Sequence, residues 1–181
     1  MQRSWLGWAA VLAGLCAQGA LADEAVQAVW TAKQLQFTYQ GFTAHYSCDG
    51  LRDRMRQALL TLGARQDLTV TPTGCSGGFG VATPFPGVVA KFSVLTAAKD
   101  ASAAGAESAH WRRVDLAERR GDPVDAAGDC ELIEQLKTLV LPLFTTRNVE
   151  YSSSCIPHQI QVGGTTLRAD VLVADAPAAA H

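Results

Sequence analysis

Apolar residues recur at helical spacing in two separate stretches of the chain. In the first stretch, which follows Cys48, these positions are Leu51, Met55, Leu59 and Leu62. In the second, which follows Cys130, they are Leu132, Leu136, Leu139, Val140 and Phe144. Each pattern predicts a helix that turns one apolar face toward a core.

Both predicted helices begin at a cysteine. The residue before each cysteine is a favourable N-cap and the residue after it is acidic, which suits the helix dipole; the pairs are Ser47 with Asp49 and Asp129 with Glu131. We expect the first helix to end at Gly63, because glycine adopts positive φ without steric cost. Pro142 should kink or end the second near Leu141, because proline interrupts a helix.

Alternating polar and apolar residues predict strands on both sides of each helix. Before the first helix, residues 35–39 and 42–46 alternate around a turn at Gln40 and Gly41, which predicts a hairpin or a bulged strand. Residues 23–33 fit either a short helix or an arm, and residues 96–109 are typical of a flexible connection. The other predicted strands are Leu68 to Thr73, Val88 to Leu95, Trp111 to Leu116, Val149 to Ser153 and Leu167 to Val173.

The order strand, helix, strand, cysteine, strand occurs twice, at about residues 42–95 and 111–173. This order predicts a single α+β domain over residues 23–175, built from two βαββ-like halves. We expect a mixed or antiparallel sheet with two helices on one face. The halves can lie side by side in one sheet or stack as two layers. Residues 176–181 are expected to form a disordered tail.

Cysteine spacing predicts one disulfide within each half. A helix of about fifteen residues climbs about 22 Å, and a strand of seven or eight residues descends about the same distance. The second cysteine of each half therefore returns to the first. Of the three pairings that four cysteines allow, we expect Cys48 with Cys75 and Cys130 with Cys155.

The first 22 residues are typical of a secretory signal. Arg3 supplies the positive start, residues 5–16 form an apolar run, and residues 20–22 form a small-residue cleavage site. A lipid anchor at Cys16 is the alternative, which the bulky Leu15 disfavours. Removal of the signal leaves four cysteines and no transmembrane segment, so we expect a periplasmic or secreted protein with disulfides.

The net charge of the chain and the absence of cofactor motifs limit the kinds of partner that we expect. The chain has 17 acidic and 15 basic residues and a net charge of −2, which does not favour nucleic-acid binding. No cofactor motif occurs, so no cofactor is expected, and the expected partner is an unidentified protein or small molecule. A local basic cluster is either a solvated face or a docking surface; it contains Arg52, Arg54, Arg56 and Arg65.

Two alternatives give the histidines and cysteines a chemical role. His45, Cys48, Cys155 and His158 have metal-ligand spacing, H-x-x-C and C-x-x-H, but a metal site would need free thiolates. A hydrolase site could centre on His45 or His158, although the chain has no G-x-S-x-G motif. We therefore assign no catalytic residue, and the leading hypothesis is a non-catalytic binding or accessory protein.

Aromatic residues crowd the segment before Cys48; they are Trp30, Phe37, Tyr39, Phe42 and Tyr46. Strand packing and a ligand platform both explain them, and we favour packing, with Trp30 and Tyr39 the most exposed. A pocket that joins a histidine, a carboxylate and a hydroxyl would favour the hydrolase. A shallow sheet face lined by aromatic residues would favour binding.

Overall fold

The computed structural model describes residues 25–42, 44–76, 80–100, 104–116, 130–154, 156 and 165–175. The predicted signal, the predicted tail, Asp129, Cys155 and His158 lie outside these residues. The described helices are all too short or too polar to cross a membrane.

Six strands form one sheet in the order β2-β3-β1-β4-β6-β5, and every described pairing is antiparallel. The strands are β1 Val26–Thr38, β2 Thr69–Thr73, β3 Gly87–Ala97, β4 Glu107–Asp115, β5 Thr146–Ser153 and β6 Thr165–Ala174. A helix separates the first two strands of each half, so the α+β prediction is confirmed, with the halves side by side in one sheet. An internal repeat of the sequence stays a prediction.

The two halves of the sheet meet along a short junction. Strands β1 and β4 pair at Val26 with Ala109, Gln27 with Ser108, and Ala28 with Glu107. By contrast, β1 pairs with β3 over residues 28–38. Most backbone hydrogen bonds of the sheet therefore lie within a half rather than between halves.

Helix α1, Cys48–Thr61, begins and ends as the sequence predicts. The amide of Gly50 donates to the Ser47 hydroxyl at 3.1 Å, which satisfies one of the orphan donors of the first turn. Gly63 follows the helix with a φ of 92°, a conformation that strongly favours glycine. A Cβ there would lie 3.0 Å from the carbonyl oxygen of Leu172, so the close approach to β6 also requires glycine.

Helix α2, Cys130–Gln135, is shorter and continues irregularly. A π-helical turn, Leu136–Val140, and a 3₁₀ turn, Leu141–Leu143, follow it, and the helical segment ends around Pro142 as predicted. The prediction that Leu139 faces the core is wrong, since 48% of this residue is exposed. A π-helical turn takes in an extra residue, which rotates later side chains away from the positions of a regular helix.

The main core lies between one face of the sheet and both helices. Fully buried side chains from both layers meet there, among them Phe37, Leu51, Met55, Leu59, Val94, Val140 and Val171. Because α1 and α2 contribute to the same cluster, they pack on the same face. The opposite face of the sheet has no helix of the described residues over it.

Two predicted segments before the first helix are wrong, and the predicted connection between the halves is too long. Residues 26–33, for which a helix or an arm was expected, belong to the long strand β1. The described residues 42 and 44–46 are not part of a strand, and an isolated bridge joins Ser47 to Ala82 nearby. The expected connection at 96–109 is shortened at both ends, because β3 and β4 extend into it.

A disulfide joins Cys48 to Cys75, with their Cα atoms 5.9 Å apart, which confirms the first predicted pairing. It ties the first residue of α1 to the chain just beyond β2. Cys130 is not a free thiol. Its predicted partner Cys155 lies outside the described residues, so the second pairing stays a prediction.

Candidate binding face

A second apolar cluster lies on the sheet face opposite the helices. Its buried residues are Ala28, Leu95, Ala109 and Leu172, and Val26, Trp30, Trp111 and Ala174 pack against them. All eight residues come from strands. We call the surface formed by Trp30, Leu95, Trp111 and Leu172 the tryptophan face.

The two halves of the sheet contribute the same residue pairs to this face. In the first half Ala28 pairs with Ala97 and Trp30 with Leu95. In the second half Ala109 pairs with Ala174 and Trp111 with Leu172. Cross-strand partners point to the same side of a sheet, so each half presents one tryptophan beside one leucine. Positions in the two halves can therefore be compared pair by pair.

An arginine stacks on each tryptophan. The guanidinium of Arg65 lies 5.6 Å from the ring centre of Trp30, and that of Arg147 lies 4.5 Å from that of Trp111. Such contacts are favourable because the negative face of the ring attracts the guanidinium charge. Asp67 accepts hydrogen bonds from Arg65, the shortest at 2.8 Å, which lowers the pKa of its carboxyl. The face thus combines partly buried aromatic rings with positioned charges.

An open pocket of about 500 Å³ lies on the same side of the sheet as the tryptophan face. It includes Ala32 and Ser93, the same-face pair next to Trp30 and Leu95. Ala32 and Ser93, which pair across β1 and β3, are small and leave space between larger neighbours. On one side the next row of paired residues is Gln34, Lys91 and Thr69. Asp67 also lines the pocket, and it accepts hydrogen bonds from Arg65, the residue that stacks on Trp30. The complete lining is Ala32, Lys33, Gln34, Asp67, Thr69, Lys91, Phe92 and Ser93.

The second half fills the same position with an ion-pair network. In the first half the same-face pair next to Trp30 and Leu95 is Ala32 with Ser93. In the second half the corresponding pair, next to Trp111 and Leu172, is Arg113 with Asp170. Their charged groups lie 3.2 Å apart, and Arg113 also contacts Glu150 at 2.7 Å. A hydrogen bond from Asn148, followed by those from the arginines, lowers the pKa of Asp170. The pocket is therefore a feature of the first half.

A histidine, a carboxylate and a hydroxyl meet at the junction of the halves. Asp175 contacts His110 Nδ1 at 2.5 Å and accepts a hydrogen bond from the Ser108 hydroxyl at 2.5 Å. Both contacts lower the pKa of Asp175, and the hydrogen bond from Ser108 has the larger effect. The hydroxyl donates to the carboxylate and not to the imidazole, whereas an activated nucleophile needs a contact with its base. The sequence predicted no role for these residues.

The histidines singled out from the sequence do not form a site among the described residues. His45 is exposed, and His158 and Cys155 lie outside the described part of the chain. Cys48 is in a disulfide and offers no thiolate to a metal. Within the described ranges, no three His, Cys, Asp or Glu side chains are grouped to hold a metal ion.

The aromatic segment is mostly core, but its most exposed members differ from the prediction. Tyr39 is 1% exposed, so the expectation that it is accessible is wrong. Its hydroxyl donates to Glu131 at 3.2 Å, and burial, followed by this carboxylate, raises its pKa well above the usual value. Phe42 is 69% exposed, and Trp30 is partly buried. Tyr39 thus joins β1 to α2 rather than forming a platform.

The predicted basic cluster does not form a uniformly cationic surface. Arg52 contacts Asp53 at 2.8 Å, and Arg65 contacts Asp67 at the same distance. Arg56 donates to the carbonyl oxygen of Leu68. Because these guanidinium groups already have partners, the cluster is better described as a solvated and locally neutralised face.

A short sequence signal could have pointed to the tryptophan face. The tripeptide Ala-x-Trp occurs at residues 28–30 and again at 109–111, and each copy lies in a central strand. Its meaning depends on the register of β1 with β3 and of β4 with β6, which the sequence did not give. Comparisons with family models, curated proteins and solved structures find no match for the chain.

Proposed function

We propose that this is an exported, non-catalytic binding or accessory protein, acting in the periplasm or outside the cell, and that the tryptophan face is its binding surface. The observation that carries the proposal is the matched placement of Trp30 and Trp111, each partly buried beside a leucine and under an arginine. Aromatic and arginine side chains are enriched at the centres of binding surfaces.

The packing of this face supports the proposal. Leu95 and Leu172 are 2% and 3% exposed, although no helix of the described residues covers them, and Trp30 and Trp111 pack against their cluster. A partner gains a preorganised surface, because side chains that are already packed lose little freedom on binding. The rim offers both signs of charge, which suits a partner with polar and apolar groups rather than a polyanion.

Tryptophan fluorescence tests the proposal directly. The chain has four tryptophans, and Trp5 and Trp8 lie in the predicted signal, so residues 23–181 retain only Trp30 and Trp111. We expect a small-molecule or protein fraction of the extracellular or periplasmic extract of the source organism to change the emission saturably. Trp30→Ala or Trp111→Ala should weaken that binding at least tenfold.

The matched control is Leu139→Ala, which changes an exposed apolar residue on the helix side of the molecule. This control should bind as the unsubstituted protein does. Binding that survives both tryptophan substitutions, or that only the control weakens, would contradict the proposal.

Hydrolysis is a second candidate function, favoured by the contact between His110 and Asp175. A carboxylate at Nδ1 orients an imidazole so that Nε2 can act as a base. The test is turnover of p-nitrophenyl acetate by the protein and by His110→Ala, with the exposed His45→Ala as the control for non-specific imidazole catalysis. The binding proposal predicts equal rates for the two variants, and a loss confined to His110→Ala would favour the hydrolase.

A further inference from the structure

The pocket beside Trp30 is open in the first half at a position that an ion pair fills in the second. The pair Ala32 and Ser93 in the first half corresponds to Arg113 and Asp170 in the second. The fold therefore accommodates a cation and a carboxylate at this position. In the first half these groups are missing from the chain itself, and a pocket of about 500 Å³ remains.

The charges around the pocket are also incompletely matched. In the second half Arg168 contacts Asp115 at 2.7 Å, and this pair corresponds to Lys91 and Gln34 in the first half. Gln34 carries no charge, so Lys91 lacks the carboxylate that its counterpart has, and no other ion pair compensates it among the described residues. A bound carboxylate would supply the missing partner.

A group of the opposite charge also lines the pocket. Asp67 is one of the lining residues, and an aspartate carboxyl is ionised at neutral pH. Although Asp67 accepts hydrogen bonds from Arg65, each carboxylate oxygen has more than one acceptor site. It can therefore accept from a bound cation as well. Thr69 and Ser93 also line the pocket, and their hydroxyls add uncharged hydrogen-bonding groups.

We propose that this pocket binds a small zwitterion of the amino-acid class, with its carboxylate toward Lys91 and its ammonium toward Asp67. This inference rests on the proposed binding function and names the ligand class. Lys91 and Asp67 line the same pocket, so one small molecule that carries both a carboxylate and an ammonium can contact both residues. Pockets that bind small molecules commonly measure about 300–1,000 Å³.

Calorimetry with residues 23–181 tests the proposal. The probes are the twenty standard amino acids, each titrated separately, with propionate, ethylamine and glucose as ligands that lack one or both charges. We expect saturable binding of at least one amino acid and at least tenfold weaker binding of the three comparison ligands. Lys91→Ala should weaken the binding at least tenfold.

A filled-pocket variant tests the location. Ala32→Arg with Ser93→Asp copies the ion pair of the second half and should abolish binding while the protein stays folded by circular dichroism. Its matched control is Gln36→Arg with Thr71→Asp, which adds the same charges at exposed positions outside the pocket lining. This control should bind amino acids normally.

The outcomes separate the two proposals. Failure of all twenty amino acids to bind, tighter binding of glucose or propionate, or unchanged binding by the folded filled-pocket variant would each overturn the zwitterion site. None of these results removes the binding function, which is judged by the effect of the tryptophan substitutions on the fraction from the extract. If the tryptophan substitutions leave the binding of that fraction unchanged, the proposed function itself is overturned.

Discussion

Removal of the disulfide between Cys48 and Cys75 should lower stability mainly through the unfolded chain. The bridge closes a loop with a sequence separation of 27 residues. Cys48 is only partly buried and Cys75 is exposed, so replacing both with alanine removes little packed surface. The principal effect is that the unfolded chain regains the conformational freedom that the cross-link denies it.

The size of the effect follows from the loop length. The chain-entropy relation gives about 3.5 kcal/mol at 25 °C for a loop of this length. We therefore expect the free energy of unfolding of Cys48→Ala with Cys75→Ala to fall by about 3–4 kcal/mol. Urea denaturation of residues 23–181, followed by circular dichroism, measures this difference.

Two comparisons make the disulfide experiment decisive. Thr71→Ala, at an exposed position of β2, should change the free energy of unfolding by less than about 0.5 kcal/mol. Addition of reductant to the double variant should destabilise it again by about 3 kcal/mol if Cys130 and Cys155 form the second bridge. If the free energy of unfolding of the double variant, before reductant is added, falls by less than about 1 kcal/mol, the reasoning from loop entropy is refuted.

Three further predictions concern stability. Tyr39→Phe removes the hydroxyl that donates to a carboxylate of α2 at 3.2 Å and should cost about 0.5–1.5 kcal/mol in urea denaturation, whereas no loss would contradict the bond. Leu136→Ala, at a buried position, should lower the free energy of unfolding by about 2–5 kcal/mol, and Leu139→Ala, at an exposed one, by less than about 0.5 kcal/mol. Equal losses for the two variants would contradict the orientation that the π-helical turn gives them. Because Asn148 and the arginines lower the pKa of Asp170, its contribution is present above the usual carboxyl pKa and is lost as the pH falls through the lowered value. Asp170→Asn should therefore flatten the fall of the melting temperature below about pH 4, and an unchanged fall would refute this assignment.

The sequence predicted those parts of the fold that depend on local signals. Ser47 and Gly63 mark the ends of α1 by capping and by positive φ, both of which depend only on neighbouring residues. The start of β1 was missed for a physical reason. Val26, Ala28 and Trp30 lie on the face opposite the helices, whereas Leu35 and Phe37 lie on the helix face. The apolar side of β1 therefore changes along its length, and no single alternation covers the whole strand.

The candidate site depended on contacts between distant segments. Trp30 meets Leu95 and Arg65 only because β1 pairs with β3 in one register, and a shift by one residue would turn it to the other face. The contact of His110 with Asp175 likewise requires β4 and β6 to be neighbours. Local sequence patterns determine neither the register of β1 with β3 nor the pairing of β4 with β6. The sequence therefore led to a hypothesis of binding without indicating which surface binds.

Amide and indole chemical-shift mapping tests the central claim, that the sheet face opposite the helices is the binding surface, most directly. Oxidised, ¹⁵N-labelled protein of residues 23–181 has two tryptophan indole signals, one for each half. We predict that the extract fraction that changes the tryptophan fluorescence also shifts at least one indole signal and the amides near Lys91 and Ser93. The amides of α1 and α2 should not shift. Shifts confined to the helices or to the surroundings of His110, with both indole signals unmoved, would contradict the account.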